Sequence, residues 1–203
     1  MTDSTARDTA RRRVDEVDRA RAQEYALLAI LLRRSPDAQL LSRLAGLPGD
    51  ASPIGLAHIA LAKAAGRAGE TSAAQEFFTL FAGLGDGALM PYASRYLAGT
   101  LYGRPLARLR ETLQDLRIEK SPRLTEPEDH AGFLCEIMAG LAGGTIDAAD
   151  GFERDFFEQY ISPWMGRFFA DLEQAKSADF YASVGAFGHT FLDIEARAFA
   201  LSE

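Results

Sequence analysis

Apolar residues recur at three- and four-residue spacing along most of this chain, the periodicity of amphipathic helices. Between Val14 and Arg33 the positions Ala22, Tyr25, Leu28, Ala29 and Leu32 mark the buried face of a first helix, which Ser35-Pro36 ends. A short second helix is expected from Asp37 to Leu44, closed by Gly46 and Pro48. A third runs from Pro53 to Ala65 with Ile54, Ala57, Leu61 and Ala64 on one side and Gly66 and Gly69 behind it. The fourth opens at Thr71; Phe77, Phe78, Leu80 and Phe81 make it apolar around much of its circumference, which predicts core packing.

Pro91 starts a helix carrying Tyr92, Tyr96, Leu97 and Leu101, and after Gly103 a second one starts at Pro105 with Leu106, Leu109, Leu113 and Leu116, antiparallel to the first. Ser121 and Pro122 mark a linker. A helix beginning near Pro127 then runs to about Leu141, where Gly143-Gly144 stops it. Segments Ala148 to Tyr160, Pro163 to Ala175 and Asp179 to about Leu201 complete the pattern. Period-two alternation is missing, so the expected class is all-α, one compact helical domain of about nine or ten helices. It spans residues 14–203 behind a flexible, charged N-terminal arm at residues 1–13. No repeat of solenoid length stands out.

Composition narrows the function. The 203 residues are 47% hydrophobic and 25% charged, ordinary for a globular protein. A net charge of -7 argues against a nucleic-acid or anionic-membrane binder and favours neutral or basic partners. One cysteine, Cys135, forms no internal disulfide, and its place on an apolar helix predicts a buried, inert thiol in a reducing cytoplasm. Arg11-Arg12-Arg13 and Arg33-Arg34 are followed by charged residues or by Ser35-Pro36-Asp37, so neither reads as an export signal. No apolar run reaches the roughly 18 residues of a membrane span.

The densest polar chemistry is Thr125-Glu126-Pro127-Glu128-Asp129-His130, directly before Phe133-Leu134-Cys135-Glu136-Ile137-Met138. Thr125-x-x-Glu128 fits a capping box, Pro127 suits a first turn, and acids there complement the helix dipole. His130 fits less well, because an imidazolium in the first turn opposes the dipole unless Asp129 or Glu126 holds it. Read as chemistry, Asp129 and His130 suggest a small hydrolase. Yet no base is evident for Cys135, and His58, His130 and His189 fall in separate segments without zinc-site spacing, so neither catalytic residues nor a metal or other cofactor are expected. The glycine-rich Gly83-Leu84-Gly85-Asp86-Gly87 lacks the Lys-Ser/Thr pair of a phosphate loop and reads as a connector. A helical scaffold or dimerisation module is the other open reading.

Three segments resemble the TorD/DmsD/NarJ-like chaperones of molybdoenzymes. Leu89-Met90-Pro91-Tyr92-Ala93-Ser94-Arg95-Tyr96, with Leu101-Tyr102-Gly103-Arg104-Pro105, is similar to a Pro-Tyr-x-Ser element and its following turn. Glu126-Pro127-Glu128-Asp129-His130 resembles the family's Glu-Pro-x-Asp-His signature. Phe156 to Phe168, including Pro163-Trp164, resembles a Phe-x-x-x-His-Leu-x-Pro-Trp pattern, but Tyr160-Ile161 stands where His-Leu is usual, so no role of that histidine carries over. The N-terminal third matches only in its helical, Leu-rich character.

The resemblance implies an all-helical, cytoplasmic, non-enzymatic protein. Such a protein binds the twin-arginine signal peptide, or an N-terminal segment, of a molybdopterin oxidoreductase catalytic subunit, with formate dehydrogenases one possible client group, and holds it until its cofactor is loaded. It implies no nucleic-acid partner and no stable membrane insertion, and leaves monomer and homodimer open. The peptide-binding residues it suggests are Glu126, Pro127, Glu128, Asp129 and His130, with Tyr92, Arg95, Tyr96, Phe133 and Glu136 around them. Acids at a rim would receive arginines, while Leu97 and Met138 join the aromatics along an apolar groove. Trp164 is expected to be a structural anchor.

Overall fold

A computed structural model describes residues 14–82, 89–119 and 126–201 of the chain. The expected arm at residues 1–13, the glycine-rich connector, Ser121, Pro122 and Thr125 lie outside the described residues. Those described form ten α-helices and two π-helical turns, with no strand among them. The all-α expectation holds.

The first three helices start where short polar side chains satisfy free backbone N–H groups. Asp15 accepts from Asp18 N at 2.8 Å to open α1 (Glu16–Arg33), and Asp37 accepts from Leu40 N at 2.7 Å to open α2 (Ala38–Ala45). Ser52 caps α3 (Pro53–Arg67), whose first position is Pro53. Helix α4 (Glu70–Phe77) then widens into a π turn over Phe78–Ala82. Leu80 is fully buried there and Phe77 and Phe81 pack on the core, while Phe78 is 63% exposed, so the expected apolar circumference is only partly covered.

Two short helices follow, α5 (Ala93–Ala98) and α6 (Arg104–Asp115). The first is shorter than its apolar pattern predicts: it stops at Gly99, whose φ of 75° lies in the left-handed region that ends helices. Helix α7 (Ala131–Ala142) begins four residues after Pro127, the start expected from the sequence. Helix α8 (Phe152–Phe156) passes into the second π turn at Phe157–Ile161, followed by α9 (Met165–Glu173) and α10 (Phe180–Ala200).

Helix α7 is the central rod. Nine of its residues, from Ala131 to Ala142, are buried, and it packs along α1. Helix α10 lies against α9 and α3, and α2 covers α3. Gly132 permits the first of these approaches: a Cβ there would stand 2.5 Å from Arg33 Cγ and 3.2 Å from the carbonyl oxygen of Ala29. Trp164 is buried and donates from Nε1 to Tyr160 O at 2.7 Å, the anchoring role expected of it. Tyr160, in place of the family's histidine, shares a 2.6 Å hydrogen bond with the Thr112 hydroxyl and so ties the second π turn to α6.

A clasp between two distant motifs

The Pro-Tyr-x-Ser element and the Glu-Pro-x-Asp-His signature, some 35 positions apart, meet in an isolated antiparallel bridge between Tyr92 and His130. Ala93 N donates to Asp129 O at 3.0 Å and Ala131 N donates to Pro91 O at 2.7 Å. Ser94 N donates to Asp129 Oδ2 at 2.8 Å. The Tyr92 hydroxyl donates to Glu126, and its ring meets the His130 ring edge-on at 5.2 Å. The start of α5 and the start of α7 are therefore held by one reciprocal network.

Within it, Asp129 serves a helix other than the one it precedes. Its carboxylate takes the free N–H of Ser94 in the first turn of α5, where a negative charge also complements the dipole. The cap of α7 is His130, whose Nδ1 accepts from Gly132 N at 3.0 Å. An acceptor nitrogen carries no proton, so the dipole conflict raised by an imidazolium is absent. Burial lowers the His130 pKa from 6.5 to about 4; nearby Glu126 opposes this and Arg33 reinforces it. The imidazole is neutral at physiological pH.

The residues expected at a peptide-reading rim divide into two groups. Asp129 is 1% exposed and His130 7%, so both are interior, and Pro127, Tyr92, Tyr96 and Phe133 are half-buried. Glu126, Arg95 and Glu136 are exposed, and Glu128, half-buried, holds Arg110 through two hydrogen bonds of 2.8 and 3.0 Å. Met138, expected along a groove, is core; Leu97 is open to solvent. Two depressions flank the clasp. One, of about 440 Å³, lies between α1 and α7 over Ala29, Ile30, Arg33, Arg34 and Glu136, with Arg33 paired to Glu136. The other, of about 410 Å³, is bounded by Met90, Arg95, Tyr96, Arg167 and Asp171, where Tyr96 donates to Asp171 at 2.9 Å.

Asp129 and His130 do not form an acid–base pair. Among the described residues no hydrogen bond joins the Asp129 and His130 side chains, and each is engaged with backbone. Cys135 is fully buried with its sulfur 3.9 Å from Met165 Sδ, and burial pushes its thiol far above the ordinary pKa. Among the described residues no group of three or more His, Cys, Asp or Glu side chains is placed to hold a metal ion, and no helix is long and apolar enough to cross a membrane.

Two participants escaped the sequence reading. Ser94 is fully buried and accepts from Tyr102 N at 3.1 Å, which links Asp129 onward to the turn between α5 and α6. Tyr102 holds a φ of 69°, a left-handed conformation in which a bulky residue is strained. The only sequence signal for either was membership in the Pro-Tyr-x-Ser element and its following turn.

The chain is 27% identical over 128 residues to the chaperone protein TorD of Vibrio cholerae, an overlap covering 59% of this chain and 58% of that one. Over 112 residues it is 29% identical to the probable Tat proofreading chaperone DmsD of Haemophilus influenzae, covering 54% and 53%. A longer overlap of 188 residues at 24% identity joins it to TorD of a Shewanella species, with 83% and 88% covered. The chain thus spans little more than half the length of the Vibrio and Haemophilus relatives. The model of the nitrate reductase delta subunit family matches residues 47–170, which contain both halves of the clasp, and the chain belongs to that TorD/DmsD/NarJ-like family.

Proposed function

We propose that this protein is a cytoplasmic chaperone that binds the twin-arginine signal peptide, or an N-terminal segment, of a molybdenum-cofactor oxidoreductase. It assists cofactor insertion and assembly before the client is exported. What supports the reading is the clasp: two motifs of a chaperone family are spent on holding one another, leaving charged and aromatic groups around their junction. In this reading Asp129, His130 and Pro127 are the frame. Glu126 and Glu128 receive guanidinium groups, and Tyr92, Arg95, Tyr96, Phe133 and Glu136 border the path of the peptide.

The formal charge of -7 suits a basic leader. Calorimetry of the purified protein with a synthetic leader of the twin-arginine type tests the proposal. Binding in the micromolar range, roughly 8 kcal/mol, is expected. Loss of a charge-assisted hydrogen bond in Glu126→Gln should weaken it about ten-fold. No heat from the wild type at about 100 µM leader, a concentration well above the expected Kd, would remove the reading.

A further inference from the structure

Helix α6 bears its surface charges in the order least favourable to an isolated helix. Its buried face is Leu106, Leu109 and Leu113. On the opposite side, at spacings of four, three and four, Arg104, Arg108, Glu111 and Asp115 form a single line, and all four are exposed. Arg104, the first residue, stands at the positive end of the helix dipole and Asp115, the last, at the negative end, each the sign that the dipole disfavours. Arg104 and Arg108 are like charges one turn apart, and so are Glu111 and Asp115, which is destabilising again. Among the described residues none of the four has an ion pair or a side-chain hydrogen bond. Arg110, on the flank of the line, is instead taken by Glu128.

The order of the charges specifies an occupant. Along the helix the line reads basic, basic, acidic, acidic, so each charge has a counterpart of opposite sign across the helix midpoint. Arg104 lies as far before that midpoint as Asp115 lies beyond it, and Arg108 as far before it as Glu111 beyond. A two-fold axis through the midpoint, perpendicular to the helix, lays an identical helix antiparallel to the first. Arg104 then meets the partner's Asp115 and Arg108 meets the partner's Glu111, each pair occurring twice. Every charge faces its opposite, and the two helix dipoles run antiparallel. A partner of another kind, acidic or basic, would be matched by a line of one sign; a line that is half of each, in this order, is complementary to itself.

We propose that the outward face of α6 is a homodimer contact, in which two copies of this chain pair antiparallel through Arg104–Asp115 and Arg108–Glu111 bridges. The contact is one helix about 18 Å long, smaller than the roughly 800 Å² a side of a standard interface, and exposed ion pairs are individually weak. The dimer is accordingly weak and sensitive to salt. Neither depression beside the clasp is lined by a residue of α6, so the pairing uses neither of them and does not rest on the chaperone reading.

Sedimentation equilibrium of the whole chain tests it. In about 20 mM salt the weight-average mass should climb from that of one chain toward that of two as the protein concentration rises from about 10 µM to about 1 mM. In about 1 M salt, where the screening length is about 3 Å, it should stay at one chain. Arg108→Glu and Glu111→Arg, each with the helicity of the wild type, should be monomeric throughout, because each sets like charges face to face. Mixed in equal amounts, or combined in one chain as Arg108→Glu/Glu111→Arg, they should recover the dimer, because opposite signs face one another again. A wild type that stays a single chain at about 1 mM in low salt overturns the proposal. A dimer that both single reversals leave unchanged overturns it too, since the contact then lies elsewhere. So does a dimer that the reversals abolish and neither recombination restores, since the charges then act without pairing across the axis.

Discussion

His130 shows how one proton decides what a residue contributes. It caps α7 only while Nδ1 is an acceptor, and its burial holds the pKa at about 4 against an ordinary 6.5. Between those values the unfolded chain binds a proton that the folded chain refuses. Stability from this group is therefore complete above pH 6.5, declines as the pH falls toward 4, and changes no further below it. The gap amounts to about 3 kcal/mol at most. Urea titrations from pH 4 to 7 should show that slope in the wild type. They should show it reduced in His130→Asn, whose amide oxygen caps without titrating. A parallel pH dependence in the two proteins would exclude the histidine as its source. The sequence put His130 inside the first turn of a helix starting near Pro127 and treated it as an imidazolium that Asp129 or Glu126 would have to hold; in the structure it is the cap before Ala131, and the burial that neutralises the ring is invisible in a linear motif.

At the scale of elements, legibility followed the locality of the signal. Asp15, Asp37 and Ser52 cap their helices from three residues away, so those starts could be read directly. The start of α7 could not, since the turn before it is shaped by bonds to Pro91, Ala93 and Ser94, and the two π turns carry no mark in the apolar spacing. The close crossing of α9 and α10 was equally hidden. A Cβ on Gly185 would lie 2.5 Å from Glu173 N and 2.8 Å from Phe169 O, both rigid backbone. Gly185→Ala gains about 1 kcal/mol of helix propensity. Forcing the helices apart costs more, so a net destabilisation on the order of 1–3 kcal/mol is expected in chemical denaturation. An alanine variant as stable as the wild type would mean that the crossing relaxes freely.

Across the whole molecule, the first and last helices are joined by a charge cluster that composition alone would have assigned to solvent. Arg21 on α1 holds Glu195 of α10 through two hydrogen bonds of 2.7 Å and Glu153 of α8 through one of 2.6 Å, with Asp18 at 3.1 Å on its own helix. Burial opposes its charge, yet the hydrogen bonds and fields of Glu195 and Glu153 outweigh this and raise its pKa above the ordinary value. The Phe199 ring lies 5.1 Å below the guanidinium. Glu195 is 1% exposed, so Arg21→Leu strands a carboxylate in the interior and should cost about 3–5 kcal/mol. Adding Glu195→Leu should restore part of that loss, because the larger share of the penalty is the unpaired charge and not the missing attraction. None of these residues belongs to the clasp between α5 and α7. At a temperature where the variants remain folded, their affinity for an arginine-bearing leader should match the wild type. Reduced affinity there, with unchanged helicity, would show that the cluster and the clasp are coupled; matched affinity with a lowered melting temperature would show that stability and recognition are carried by separate parts of the fold.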